Sequence, residues 1–153
     1  MLKRITEEEE KKLKERMRHL SLEEKIGQLV QYGRLKERER ELISEGKLGS
    51  LLNVSGAETI NELQSLILRS KPAIPLMIGD DVIHGYKTIF PIPLAESCSW
   101  DLELMEETAA IAAREAAAEG VHIVFAPMVD ISRDPRWGRV AEGAGEDPFW
   151  DQK

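Results

Sequence analysis

Residues 48–81, LGSLLNVSGAETINELQSLILRSKPAIPLMIGDD, carry the pattern that decides the fold class. The runs LGSLLNV and IPLMIGDD are apolar without a helical period and are bounded by Gly, Ser or Pro, which indicates two buried strands. Between them, AETINELQSLILR places Ile60, Leu63, Leu66 and Ile67 on one helical face. Strands that are apolar on both faces, joined by a helix, predict a parallel sheet with a helical crossover.

The same pattern continues towards the C-terminus. A long loop extends to Trp100, and Asp101 caps the predicted helix LELMEETAAIAAREAAAEG, which Gly120 ends. The run VHIVFAPMVDI follows as a third buried strand. The order strand, helix, strand, long loop, helix, strand therefore predicts an α/β protein.

The first 20 residues are mostly Glu, Lys and Arg. Leu13, Met17 and Leu20 recur among them at helical spacing, which is typical of a surface helix with a narrow apolar stripe. We therefore expect a charged leader helix at residues 1–20 and one domain at residues 21–153.

A second helix is predicted to begin at Ser21, because Glu24 follows three residues later and the pair forms a capping box. The run RLKERERELISEGK has charges of mixed sign, which favours a solvated helix surface over a binding patch. We expect this helical region to continue to about Gly46.

Composition restricts the partners and the location. The 28 Asp and Glu against 21 Lys and Arg give a formal net charge of −7, which disfavours nucleic acid. A single cysteine, Cys98, excludes an intramolecular disulfide and supplies no cysteine cluster for zinc. The N-terminus lacks the apolar core of a signal peptide, and no apolar run is long enough to span a membrane. We expect a cytoplasmic protein that does not bind membranes.

Polar residues follow two of the predicted strands, at the edge of a parallel sheet where ligands bind. Asp80 and Asp81 end the second strand, and adjacent strand residues point to opposite faces. One acid is therefore expected to face a pocket while the other braces a loop. The third strand runs through Asp130 into SRDPRWGRVAEGAGEDP, whose guanidinium, carboxylate and aromatic groups suit a polar, ring-shaped ligand.

Each of these residues also has a structural interpretation. An acid that opens a loop is often a turn former that bonds its own backbone. His84 is more often a structural hydrogen-bonding residue than a base, and Asp80, Asp81 and His84 match no metal-ligand spacing. Arg133 and Arg136 are candidates for ion pairs within their own loop. GAGEDP lacks the Lys and hydroxyl of a phosphate loop, so no nucleotide site is predicted.

Three segments together resemble a known family. These are the DxxHG pattern in GDDVIHG, the run IFPIPLA, and DPRWGRVAEGAGEDP. In this order they closely resemble the N-terminal barrel domain of glycoside hydrolase family 3, particularly its bacterial β-glucosidases and β-xylosidases. Weaker similarity extends back through LGSLLN and LSLEEKIGQLVQ, so the resemblance covers nearly everything after Ser21.

The resemblance implies a (β/α)8 barrel of retaining exo-glycosidases that release a terminal β-linked sugar without a metal or cofactor. Asp81, which opens DxxHG, is implied to bind hydroxyl groups of that sugar, and Arg139, which ends PRWGR, is implied to hold the same sugar. The side chains suit these roles, because a carboxylate accepts hydroxyl hydrogens and a guanidinium donates in a fixed fork.

The resemblance covers only part of the barrel. About the first three βα units of the eight in a complete barrel would lie in this chain, after a helical leader. Retaining hydrolysis needs two carboxyl groups roughly 5 Å apart, and the positions of the family's nucleophile and acid/base lie beyond residue 153. No pair among Asp130, Glu142 and Glu146 is convincing in their place, so no catalytic residue is assigned.

The sequence is therefore interpreted as one of two functions, with a purely structural helix-and-strand protein whose motifs are inherited relics as a third, weaker interpretation. The first is the N-terminal part of a β-glucosidase-like exo-β-glycosidase, which binds a β-linked glycoside or glucose and is inactive alone. The alternative is a non-catalytic sugar-binding or self-assembling half-barrel, which pairs with itself or with a separately encoded C-terminal half. An exposed parallel edge and an uncovered apolar face would favour such association.

Overall fold

The computed structural model of the chain describes residues 4–151. Its strands are β1 (Gln31–Tyr32), β2 (Ser50–Leu52), β3 (Met77–Asp80) and β4 (Ile123–Val124). Its helices are α1 (Glu7–Arg18), α2 (Leu22–Gln28), α3 (Glu37–Ser44), α4 (Ala57–Ile67), α5 (Pro93–Ser97), α6 (Leu102–Ala118) and α7 (Pro148–Asp151), and a 3-10 turn covers Val140–Glu142.

The strands form one sheet in the order β1-β2-β3-β4, and both the β1–β2 and the β3–β4 pairs are parallel. The three strands predicted from apolar runs are confirmed as β2, β3 and β4, each shorter than its run. The predicted α/β class with a parallel sheet is therefore confirmed. In the described part of the chain, no helix combines the length and the apolarity needed to cross a membrane.

The chain divides into two compact units. The first comprises the residues up to Leu51 together with Glu62–Leu76. Its core is made of aliphatic side chains that are almost completely buried: Ile43, Leu48, Leu51, Leu63, Ile67 and Leu76. Gln64 holds the backbone that leads into β3, since its amide donates to the carbonyl of Leu76 at 2.8 Å and accepts from the Leu76 N–H at 2.9 Å.

The second unit comprises Leu52–Asn61 and the residues from Met77 onward. Its core combines residues of strands, helices and connecting segments: Val54, Ile60, Ile78, Val82, Ala112, Ala116 and Val121. The small alanines of α6 allow this helix to lie close to its neighbours. Every residue of the candidate site described below belongs to this unit.

Local capping signals determine several helix ends. The side chain of Ser21 accepts from the Glu24 N–H, and the Glu24 carboxylate accepts from the Ser21 N–H, so the predicted capping box is present. Asp101 Oδ1 accepts from the Leu104 N–H at 3.0 Å and caps α6, as predicted. Gly120 follows α6 with a φ of +93°, which only glycine adopts easily.

The prediction of one helical region from Ser21 to Gly46 is wrong in its middle. The chain leaves α2 after Gln28, forms β1, and begins α3 at Glu37. The Val30 carbonyl accepts the N–H groups of Gly49 and Ser50 at 3.3 and 3.1 Å, so strand pairing replaces the next helical turn. The long loop before Trp100 also contains a short helix, α5, with Pro93 at its first position.

Candidate functional site

Asp81 is the residue directly after β3 and is exposed. Side chains alternate along a strand, so Asp81 shares a sheet face with Gly79 and Met77. A Cβ added to Gly79 would lie 2.9 Å from Cε2 of Phe125, which shows that this ring covers the same face. Met77 and Phe125 are each 49% exposed, so the face that carries Asp81 is apolar and accessible.

Asp80 points to the other face and is partly buried. Burial raises the pKa of Asp80, and the neighbouring charge of Asp81 raises it further, against the opposing effect of the Asp81 and Val82 N–H groups that donate to its carboxylate. Val82 has a φ of +49°, which is strained for a β-branched residue. Asp80 thus holds the first turn of its own loop, which is the bracing role predicted for one of the two acids.

The raised pKa of Asp80 predicts a pH-dependent stability. Because the folded-state pKa lies above the ordinary value of 3.8, the ionised carboxylate costs stability above the folded pKa, and this cost disappears below the ordinary value. Asn in place of Asp80 retains an oxygen acceptor for the loop N–H groups but carries no charge. We expect Asp80→Asn to raise the melting temperature relative to the original chain at about pH 7 and to lose that advantage at about pH 3.5. A melting-temperature difference between Asp80→Asn and the original chain that is the same at both pH values would contradict this prediction.

His84 stabilises the loop that follows Asp81. Its Nδ1 lies 2.9 Å from the carbonyl oxygen of Phe90, and the Phe90 N–H donates to the His84 carbonyl at 2.8 Å. A carbonyl oxygen only accepts, so Nδ1 carries the hydrogen. These two bonds close the loop across residues 84–90 and agree with a structural role for His84.

Helix α6 holds the same loop through two glutamates. Glu115 accepts the N–H groups of Lys87 and Thr88, each at 2.8 Å, and the Thr88 hydroxyl at 2.6 Å. The hydroxyl bond from Thr88 is the main reason that the pKa of Glu115 is lowered. Glu119 accepts from the ammonium of Lys87 and from the Ala57 N–H at 3.0 Å. The loop that begins at Asp81 is therefore attached to α6 by hydrogen bonds to ionised carboxylates.

The arginine-rich segment after β4 forms a closed loop. Met128 pairs with Gly143, and the Ser132 N–H donates to the Gly145 carbonyl at 2.9 Å, so the two ends of the loop lie together. The 3-10 turn near the end of this loop packs against α5. Arg136 pairs with Asp134 through Nε and Nη2, with the shortest distance 2.6 Å, as predicted for an ion pair within the loop.

Arg139 lies just before the 3-10 turn and is bound by Glu142. Its Nε and Nη2 donate to Oε2 of Glu142 at 3.0 and 2.6 Å. This hydrogen-bonded pair raises the pKa of Arg139, and the charges of Glu142, Asp130 and Asp81 raise it further against partial burial. The Arg139 side chain is still 53% exposed, so a ligand can reach it.

A further polar residue, Asn53, lies beside Asp81. It follows β2 directly, and its Nδ2 donates to Oδ2 of Asp81 at 3.1 Å. Asn53 was not among the predicted site residues, although it ends the run LGSLLN as Asp81 ends IPLMIGDD. The criterion that selected Asp81, a polar residue at the carboxyl end of a buried strand, would also have selected Asn53.

An apolar cavity of about 840 Å³ adjoins this site within the second unit. Its lining includes residues 82–85, residues 126–129 and alanines of α6. Its polar lining includes His84 and Glu142. Across residues 4–151, no group of three or more His, Cys, Asp and Glu is arranged to hold a metal ion.

A model of a known protein family matches most of the chain. The family model described as "Glycosyl hydrolase family 3 N terminal domain" matches residues 21–151. The chain belongs to glycosyl hydrolase family 3. Asp81 and Arg139 both lie within the region that matches the family model.

Relatives in the family are glycosidases. The chain is 38% identical over 138 residues to a periplasmic β-glucosidase of Salmonella typhimurium, a match that covers 87% of this chain and 18% of that protein. It is 33% identical over 106 residues to a β-xylosidase of Formosa agariphila, covering 60% of this chain and 15% of that protein.

The fold is also similar to a solved β-glucosidase structure. A β-glucosidase from Listeria innocua in complex with glucose matches with a TM-score of 0.82 and 41% identity, over 94% of this chain and 22% of that one. This family 3 chain thus spans about a fifth of the length of the relatives it matches.

Proposed function

We propose that this chain is the N-terminal part of a retaining exo-β-glycosidase and carries part of the subsite that binds the terminal sugar. Asp81 and Arg139 are the proposed sugar-binding residues. The observation that carries the proposal is that Val82, the residue after Asp81, and Glu142, which binds Arg139, line the same apolar cavity. The motifs that contain both residues belong to the family 3 match.

The two side chains have complementary hydrogen-bonding chemistry. Each sugar hydroxyl group can donate one hydrogen and accept others, the Asp81 carboxylate only accepts, and the Arg139 guanidinium only donates. Glu142 restricts the rotation of Arg139, so less conformational freedom is lost when a sugar binds. The apolar face formed by Met77 and Phe125 suits the C–H groups of a pyranose ring.

The proposed parent reaction is hydrolysis of a terminal β-glycoside with retention, which requires a carboxylate nucleophile and a separate acid/base. In this chain the Glu142 carboxylate is engaged by Arg139, and Asp80 bonds its own loop. Neither is available as a nucleophile in this arrangement. We therefore propose that the chain binds the sugar through its own residues and does not hydrolyse it alone.

The proposed ligand is glucose or a β-linked glucoside, without a metal or cofactor. Support comes from the glucose complex of the Listeria innocua enzyme and from the β-glucosidase and β-xylosidase relatives. In the parent fold, the strands described here would be the first part of a (β/α)8 barrel, preceded by the leader at residues 1–20. Residues 21–153 would then form the partial barrel domain.

An alternative function, a half-barrel that assembles with itself or with a separate C-terminal half, has a specific observation in its favour. The last strand in the sheet order, β4, lies beside the apolar cavity, and the face with Met77 and Phe125 is accessible. Light scattering coupled to size-exclusion chromatography distinguishes the two. A discrete dimer that binds glucose favours the self-assembling half-barrel, whereas a sugar-binding monomer favours the N-terminal part of an enzyme.

The cytoplasmic location is also a proposal, based on the composition and on the single cysteine. The Salmonella typhimurium relative is named periplasmic, so cell fractionation is the appropriate test. Recovery with the periplasmic fraction would contradict a cytoplasmic location.

Two assays on the purified chain test the main proposal. Hydrolysis of an aryl β-glucoside is expected to be undetectable, while glucose should give a saturable signal in ligand-observed NMR that Arg139→Ala removes. Turnover that Arg139→Ala abolishes would contradict the proposed inactivity and would direct attention to Asp130, Glu142 and Glu146. Absence of any glucose signal would contradict the sugar subsite.

A further inference from the structure

We propose that Asn53 is a positioning residue that orients the Asp81 carboxylate for the sugar. The inference rests on the proposed function, since it assigns the residue that prepares one of the two proposed sugar contacts. It starts from the hydrogen bond of 3.1 Å between Asn53 Nδ2 and Asp81 Oδ2, which joins the ends of two strands.

The backbone places Asn53 beside Asp81. The Asn53 N–H donates to the Gly79 carbonyl at 2.9 Å, which continues the pairing of β2 with β3 by one residue. Asn53 then adopts a φ of +57°, a left-handed conformation that asparagine tolerates better than most residues with a Cβ. An asparagine at this position therefore serves the turn with its backbone and Asp81 with its side chain.

A neutral donor is well suited to this role. A Lys or Arg partner would neutralise the Asp81 carboxylate and occupy the oxygen lone pairs that a sugar hydroxyl needs. Arg139 engages the Glu142 carboxylate in this way. An amide N–H restrains the rotation of the carboxylate through one oxygen but leaves its negative charge intact. The Oδ1 atom of Asp81 can then accept a sugar hydroxyl in a fixed direction.

Because Asn53 and Asp81 are exposed, the effect of Asn53 on sugar binding can be measured separately from its effect on folding stability. Asn53 and Asp81 are both exposed, and a solvent-exposed hydrogen bond contributes little to folding. Removal of the amide should therefore change sugar affinity more than stability. This difference makes the role of Asn53 testable in the full chain.

Glycine is the appropriate replacement, because it retains the left-handed backbone and removes only the amide. We expect Asn53→Gly to weaken glucose binding about tenfold, with little change in melting temperature. Asn53→Asp should weaken it further near neutral pH, since it places a second negative charge against Asp81. Ser55→Ala, an exposed substitution two residues further along the chain, is the matched control and should bind glucose as the original chain does.

A double-mutant cycle shows whether Asn53 acts through Asp81. In an Asp81→Asn background, Asn53→Gly should weaken glucose binding by less than about twofold, because the carboxylate to be oriented is absent. Equal effects of Asn53→Gly in both backgrounds would overturn the inference. Glucose affinity that Asn53→Gly leaves unchanged in the original chain would overturn it as well.

The side-chain amide signals of Asn53 in a ¹H–¹⁵N spectrum provide a readout that needs no sugar. They should shift when Asp81 is replaced by Asn, and an unchanged position would overturn the Asn53–Asp81 contact. If the signals shift but the original chain does not bind glucose, the positioning contact is supported and the proposed sugar subsite is overturned. Failure of the Asn53 inference can therefore be distinguished from failure of the proposed sugar subsite.

Discussion

Arg139→Ala should lower the affinity of the chain for glucose by about a hundredfold, because it removes charged, fork-shaped donors from the proposed subsite. It also leaves Glu142 without the partner that accounts for its lowered pKa, so a free carboxylate replaces an oriented guanidinium. Ligand-observed NMR titration measures the change. Arg139→Lys should recover only part of the affinity, because an ammonium carries the charge without the planar fork.

Arg136→Ala is the matched control for Arg139→Ala. Arg136 belongs to the same loop and pairs with Asp134 in the same way, but Asp81 does not contribute to its raised pKa. We expect Arg136→Ala to alter glucose affinity by less than about twofold. Similar losses for both variants would mean that the loop as a whole is required, and would contradict a specific sugar contact by Arg139.

Gly85→Ala should have the largest effect on stability. Gly85 has a φ of +118°, and a Cβ at this position would lie 2.0 Å from the carbonyl oxygen of Thr88. The backbone at residues 85 and 88 cannot move apart without breaking the two hydrogen bonds between His84 and Phe90. We therefore expect Gly85→Ala to lower the free energy of unfolding by about 3 kcal/mol or more. Urea unfolding measures the free energy, and glucose binding should be lost with the loop.

Gly33→Ala is the corresponding control. Within the described chain, a Cβ on Gly33 would have no heavy atom within 4 Å beyond its own chain neighbours, and its φ is outside the positive range. We expect Gly33→Ala to change the free energy of unfolding by less than about 1 kcal/mol. If Gly85→Ala were equally mild, the close approach of residues 85 and 88 would not be essential to the loop.

Part of the candidate site could be predicted from the residues alone. A carboxylate at the end of an apolar strand and arginines after the next strand indicated where a polar ligand would bind, and the motifs selected Asp81 and Arg139 among them. Their sugar contacts stay predictions. An ion pair of Arg136 within its own loop was also predicted and is confirmed, and the structure shows that the partner is Asp134.

Other parts of the site depend on contacts between distant residues. Asn53 and Asp81 are 28 positions apart, and Glu115 bonds the Thr88 N–H across 27 positions. No local pattern marks either contact, because a single hydrogen-bonding side chain in a sequence has many possible partners. The sheet order brings the first pair together, and the packing of α6 brings the second.

The sequence by itself determined the elements whose signals are local: the capping box at Ser21 and Glu24, the ends of α6 at Asp101 and Gly120, and the buried strands that became β2, β3 and β4. Only the tertiary structure decided that β1 interrupts the predicted helix. The Val30 carbonyl accepts the N–H groups of Gly49 and Ser50, and such pairing between distant residues outweighs a helix propensity that amounts to a fraction of a kcal/mol per residue.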